Sequence, residues 1–171
     1  MPILALVLIL VALILFWQAA RQRKASGLPG GRIIYTDTRQ WGAVEKPLYD
    51  PALNLTGKPD YLVMQSNGQI IPVEVKTGRS PAAPYDSHIY QLAVYCLLVD
   101  RSMGKRPAYG ILHYPGRTFA IDYTQTLESS LLDTLAEMRQ QDRRGEADRS
   151  HDQPARCVRC GYRSICDQRL A

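Results

Sequence analysis

Lys58-Pro59-Asp60-Tyr61-Leu62-Val63-Met64-Gln65-Ser66-Asn67-Gly68-Gln69-Ile70-Ile71-Pro72-Val73-Glu74-Val75-Lys76 reads as two strands joined by a tight turn, and it decides the fold. Glu74 and Lys76 are two apart, so on a strand they share one face while Val73 and Val75 project from the other. The apolar face anchors the strand in a core. The polar face sets a charge pair in a cleft, where a strand does not bury it without a partner. Asp60 opens the preceding strand, Tyr61-Leu62-Val63-Met64. A three-residue loop, Ser66-Asn67-Gly68 with Gly68 left-handed, pairs Gln65 with Gln69 and so sets Asp60 opposite Glu74, with both carboxylates on one face. A two-residue loop at Asn67-Gly68 would pair Asp60 with Val75 and turn it away. The candidate site therefore depends on loop parity.

Working outward to the start of the chain, residues 1–20 carry no charged side chain, and Arg21, Arg23 and Lys24 follow at once. At ~1.5 Å per residue, twenty helical residues span a bilayer's hydrocarbon core of roughly 30 Å. Positive charge on the far side of the run predicts a single-pass membrane anchor over 1–20, with the following domain in the cytoplasm. A signal peptide would carry its basic region before the apolar run. Residues 21–31, with Gly27, Pro29, Gly30 and Gly31, read as a tether.

The remainder of the 171 residues suffices for one domain, predicted over 32–145, and a cysteine-containing segment over 146–171. A formal charge of +5 suits a polyanionic partner. No internal repeat or low-complexity tract occurs, which excludes repeat architectures. Residues 32–36 predict a first strand, and Leu48, Leu53 and Leu55 a short strand pair or extended arm. Residues 78–84 form a loop. From about 86 to 100 the period becomes helical, with Leu92, Val94, Tyr95, Leu98 and Val99 on one face and Gln91 stacked on Tyr95. Strands over 109–114 and 117–121 follow, then an amphipathic helix over 125–141 capped by Thr124, with Leu127, Leu131, Leu132, Leu135 and Met138 as its apolar positions. A charged, turn-rich stretch follows over 143–154. The order predicts an α/β domain with one central mixed sheet flanked by helices.

The ordered set Gly57-x-x-Asp60, Glu74-Val75-Lys76, Gln91-x-x-x-Tyr95, Cys157-x-x-Cys160 and Cys166 resembles the RecB-like branch of the PD-(D/E)XK nucleases, and within it the CRISPR-associated exonuclease family. The resemblance covers residues 33–167. It implies a restriction-endonuclease-like fold and metal-dependent hydrolysis of DNA, with single-stranded ends as the expected substrate. The chemistry agrees: phosphodiester hydrolysis takes a metal that polarises the phosphoryl oxygen and activates a water. Magnesium or manganese prefers oxygen ligands. Asp60, Glu74 and the Val75 carbonyl would supply them, and Lys76 would orient the water or stabilise developing charge. The resemblance implies that Gln91 and Tyr95 line the same cleft.

Each of these residues also has a plain reading. A lone Glu-x-Lys is a surface ion pair worth ~0–1 kcal/mol. Gln91 alone is a surface amide, Tyr95 a core residue and His88 a surface histidine. Nucleic-acid contacts are expected from Arg79, His88, Arg159 and Arg163, with Tyr162 stacking on a base. The interleaved Asp142, Glu146, Asp148, Asp152 and Asp167 equally suit a solvated tail.

Cys157-x2-Cys160-x5-Cys166 is a metal-type spacing, and a cytoplasmic location disfavours disulfides. In the family the cluster, completed by an upstream cysteine, holds a 4Fe–4S centre. Here no cysteine precedes Cys96, which reads as core. The alternatives are an iron–sulfur cluster with an open fourth ligand, a zinc site completed by His151, or no metal. The family also carries a histidine upstream of the Asp, and residues 21–60 contain none. An inactive nuclease-like module that binds DNA or docks a partner is therefore the second functional expectation, and a small cysteine-based metal-binding regulatory module the third.

Overall fold

The computed structural model describes residues 2–25, 29–36, 46–145 and 148–170. Residues 26–28 of the expected tether and Glu146 of the charged stretch lie outside the described residues. The chain divides into two compact units, Met1–Leu131 and Leu132–Ala171.

The first unit opens with helix α1, Pro2–Ala25, whose described side chains are exposed on every side. The helix carries through residues 21–25, which were expected to begin the tether. Arg21 lies over the Trp17 ring, 5.5 Å from its centroid. Strands β1 (Arg32–Thr36), β4 (Tyr61–Met64), β5 (Ile70–Val75), β6 (Tyr109–Tyr114) and β7 (Arg117–Asp122) form one sheet in the order β1-β4-β5-β6-β7. Only the β5–β6 pair is parallel, and α2 (Asp86–Met103) makes the crossover a parallel pair needs. Strands β2 (Leu48–Asp50) and β3 (Leu55–Gly57) form the expected short pair as a separate two-stranded sheet. Asp50 shapes the turn between them, its Oδ1 accepting from the N–H groups of Ala52 and Leu53 at 2.8 and 3.1 Å.

Ile-Ile-Pro-Val-Glu-Val makes β5 a buried central strand, five of its six residues buried. Pro72 is tolerated because pairing with β6 begins one residue later, at Val73. On one face Val63, Ile71, Val73 and Ile111 form a core cluster. On the other, Leu62 and Ile70 pack with Leu98 and Val99 of α2 and Leu48 of β2, while Leu112 and Tyr114 pack with Leu92 and Tyr95. Helix α2 thus packs against both the large sheet and the small one, and Ala93, Cys96 and Leu97 are buried along with the expected face. Gly104, left-handed at φ 63°, ends the helix by donating its N–H to the Asp100 carbonyl.

Helix α3 (Gln125–Arg144) begins where expected, with Thr124 Oγ1 accepting from Leu127 N–H at 3.1 Å. It runs through Arg144, so the charged stretch expected from residue 143 starts later. Of its apolar positions only Leu131 is buried, and Met138 is 60% exposed. The second unit contains α4 (Pro154–Val158) and a series of turns that carries the cysteines.

Candidate active site

The β4–β5 turn settles the parity question. Gln65 N–H donates to the Gln69 carbonyl at 2.8 Å, Gly68 N–H donates to the Gln65 carbonyl at 2.9 Å, and Gly68 has φ +81°. The ladder pairs Tyr61 with Val73 and Met64 with Ile70, the register of the three-residue loop. Continued by one step it sets Asp60 across from Glu74, on the same face.

The side chains then converge. Asp60 Oδ2 accepts from Val75 N–H at 2.6 Å, taking over from the β4 backbone where the ladder ends. A strand residue's N–H and C=O point the same way, so the Val75 carbonyl is directed to that same edge. Glu74 is 7% exposed. Its Oε1 accepts from Lys76 Nζ at 2.8 Å and from Gln91 Nε2 at 2.9 Å. Gln91 Oε1 accepts from Lys76 Nζ at 2.6 Å, and Gln91 Nε2 also donates to Tyr95 Oη at 2.8 Å. The Gln91 amide therefore bridges carboxylate, ammonium and phenol. This closed network explains how a strand buries Glu74.

Burial chiefly, reinforced by the Asp60 charge and by a proton shared with Asp60, raises the Glu74 pKa from its ordinary value against the opposing pull of Lys76. Two carboxylates side by side, with the Lys76 ammonium bonded to Glu74, suit a divalent cation, and the Val75 carbonyl adds a hard oxygen donor. These three donors fit a magnesium- or manganese-type ion in kind.

Gly57 is what lets this face close. A Cβ there would lie 2.6 Å from Leu98 Cδ1 and 3.0 Å from Tyr95 Cδ1 and Cε1. The glycine of Gly57-x-x-Asp60 therefore seats the chain against the Tyr95 ring three residues before the carboxylate. His88, one turn before Gln91, is half-buried, with Nδ1 2.6 Å from Tyr114 Oη and its ring edge-on to Tyr85. Burial, then the Lys76 charge, lowers its pKa. Arg79 is exposed in the loop after Lys76, a loop held by Arg117 through the carbonyls of Pro81 and Ala82.

Arg159, Tyr162 and Arg163 lie in the second unit, all exposed, Tyr162 at 73%. In that unit Cys157, Cys160, Cys166 and His151 line one cavity of about 650 Å³. Their donors are of the kind iron–sulfur clusters and zinc take. Among the described residues, however, no three His, Cys, Asp or Glu side chains stand close enough to hold one ion, so the set fits such a group in kind and not in geometry. Cys96 is buried in α2, and burial pushes its thiol up to about 12.

Sequence reasoning missed Lys58, Pro47, Thr56 and Val94, which form a concavity beside Gln91 and Tyr95. The signal present was Lys58, two residues before Asp60. What the sequence lacked was any sign that the β2–β3 hairpin folds back over α2.

Comparison with known proteins places this site in context. The chain is 30% identical over 106 residues to a CRISPR-associated exonuclease Cas4 of Thermoproteus tenax, covering 61% of this chain and 55% of that protein. It is 26% identical over 153 residues to one of Rhodospirillum rubrum, covering 87% of this chain and 45% of that protein. The chain thus spans about half the length of these curated relatives. Among solved structures, the crystal structure of SSO0001 is similar with a TM-score of 0.45 at 24% identity, over 68% of this chain and 52% of that one. The model of the PD-(D/E)XK nuclease superfamily matches residues 12–167, and the chain belongs to that superfamily.

Proposed function

We propose that the protein is a divalent-metal-dependent exonuclease that hydrolyses phosphodiester bonds in DNA, acting on single-stranded ends. The observation that carries this reading is the convergence of Asp60 and Glu74 on one face with Lys76 and Gln91 bonded to the same Glu74 oxygen. Asp60, Glu74 and the Val75 carbonyl would hold magnesium or manganese, which when bound supplies a polarised phosphoryl oxygen and an acidified water. Lys76, braced by Glu74 and Gln91, presents a fixed ammonium to the negative charge that develops on the phosphate. Gln91 keeps that ammonium and the Glu74 carboxylate in register, and Tyr95 Oη accepts from Gln91 and so fixes its amide orientation. The half-buried setting excludes bulk water and strengthens each of these contacts.

Apolar over residues 2–17 and exposed over 4–22, α1 is read as a single-pass anchor over 1–20, with the nuclease domain on its basic, cytoplasmic side. Trp17 and Arg21, stacked on one another, suit the membrane interface on that side. The length and composition of Leu4–Gln22 support this reading. The likeness to Cas4 proteins supports exonuclease action on DNA; it comes from relatives of twice this length.

Full-length protein in detergent should degrade labelled single-stranded DNA with magnesium or manganese and not with excess chelator. Lys76→Ala should abolish cleavage while leaving DNA bound. Binding without cleavage under any divalent metal would replace the enzyme with the nuclease-fold docking module. Release of the protein from membranes by alkaline wash would remove the anchor.

A further inference from the structure

A second concavity, about 400 Å³, opens beside the carboxylate cluster. Its floor is α2, through Gln91, Val94 and Tyr95, and its wall is the β2–β3 hairpin, through Pro47, Thr56 and Lys58. Gln91 and Tyr95 belong at once to this concavity and to the network that holds Glu74 and Lys76. The two sites therefore share Gln91 and Tyr95. Lys58 is half-buried and two residues from Asp60.

We infer that this concavity seats the nucleotide neighbouring the scissile phosphate, with Lys58 meeting that nucleotide's phosphate. The inference rests on the nuclease reading and adds a subsite to it. The chemistry is complementary. Pro47, Val94 and the Tyr95 ring offer apolar surface to a base, and base–aromatic contact is tolerant of sequence. Lys58 supplies a cation to the lining, two residues from Asp60, where the backbone of a strand entering the cluster would pass. The volume is at the small end of the ~300–1,000 Å³ typical of ligand pockets, which suits one nucleotide rather than a duplex or a helix.

The test uses full-length protein in detergent, with Glu74→Gln as a cleavage-deficient parent and a fluorescein-labelled oligothymidylate as probe. Anisotropy titrations are run over a series of salt concentrations. Lys58→Met should weaken binding about tenfold at low salt and make the slope of log K against log salt shallower by about 0.7, the loss of one phosphate contact on a single strand. Lys58→Arg should restore both. Val94→Trp, which fills the concavity, should weaken binding and leave the slope unchanged. If the parent binds the probe and both Lys58→Met and Val94→Trp match it in affinity and slope, the subsite is wrong and the nuclease reading stands. A shift of the chain from dimer to monomer on Val94→Trp, with DNA affinity intact, would also overturn it in favour of a second copy as occupant. A parent and wild type that both fail to bind DNA would bring down the nuclease reading itself.

Discussion

Replacing Gly57 by Ala tests whether the site is held by the close approach of β3 to α2. The new Cβ would sit 2.6 Å from Leu98 Cδ1 and 3.0 Å from two Tyr95 ring carbons, against an ordinary carbon contact of roughly 3.5–4.0 Å. The overlap is about 1 Å with Leu98 and about half that with Tyr95. Leu98 is fully buried and Tyr95 is 7% exposed, so neither side chain has open space to yield into. Overpacking of this kind costs about 1–3 kcal/mol. Stiffening the unfolded chain returns about 0.4–1 kcal/mol. Taken at mid-range, the net destabilisation is about 1.3 kcal/mol, or about 3–5 °C in Tm for a chain of this size. Displacing the Tyr95 ring also moves the hydroxyl that accepts from Gln91 at 2.8 Å, and with it the amide that orients Glu74 and Lys76. Cleavage should fall about 10- to 100-fold, as expected for misplacement of up to ~1 Å at a catalytic group. Circular-dichroism melting and single-turnover cleavage of the same preparation read both effects. A Gly57→Ala protein with unchanged Tm and unchanged rate would refute the reasoning.

Three further outcomes follow from the site and core. Because the Glu74 pKa is raised, between its ordinary value of 4.5 and the raised one the folded chain holds a proton the unfolded chain has lost, so this group's contribution to metal-free stability falls as pH rises through that window; Glu74→Gln should therefore melt at or above the wild type at neutral pH without metal, while metal binding by the wild type, followed by calorimetry, should fail as pH drops through the same window. Tyr95→Phe removes one acceptor from Gln91 but leaves its bonds to Glu74 and Lys76, so it should cost about 1 kcal/mol in stability and lower cleavage several-fold without abolishing it, as melting and rate measurements would show. Cys96, its thiol pushed up to about 12 within the α2 core, should resist alkylation in the folded chain, whereas exposed Cys160 should react, as peptide mass spectrometry after iodoacetamide would reveal.

The candidate site was legible because its two carboxylates belong to strands adjacent in sequence. Ser66-Asn67-Gly68 determines the register locally, and register alone decides which face Asp60 and Glu74 share. Gln91 and Tyr95 were legible as one helical stripe, and Thr124 as a cap. What failed to show depends on contacts distant in sequence. Ala93, Cys96 and Leu97 are buried although helical periodicity leaves them off the apolar face of α2. The bond from Val75 N–H to Asp60 arises because the β4 ladder stops at Tyr61, a feature of strand length and not of pattern. For α3 the pattern predicted the helix and overstated its burial, since Met138 has apolar spacing but stays exposed. Cysteine spacing pointed to a metal-type segment, and among the described residues Cys157, Cys160 and Cys166 line one cavity without standing close enough to share an ion.

The most direct test of the account is cleavage of end-labelled single-stranded DNA by full-length protein, titrated with magnesium or manganese, beside Asp60→Asn and Glu74→Gln. Cleavage should rise with metal and vanish with chelator. Each substitution should abolish cleavage without unfolding the chain. Wild-type rates retained in either folded variant, or undiminished by chelator, would contradict the account.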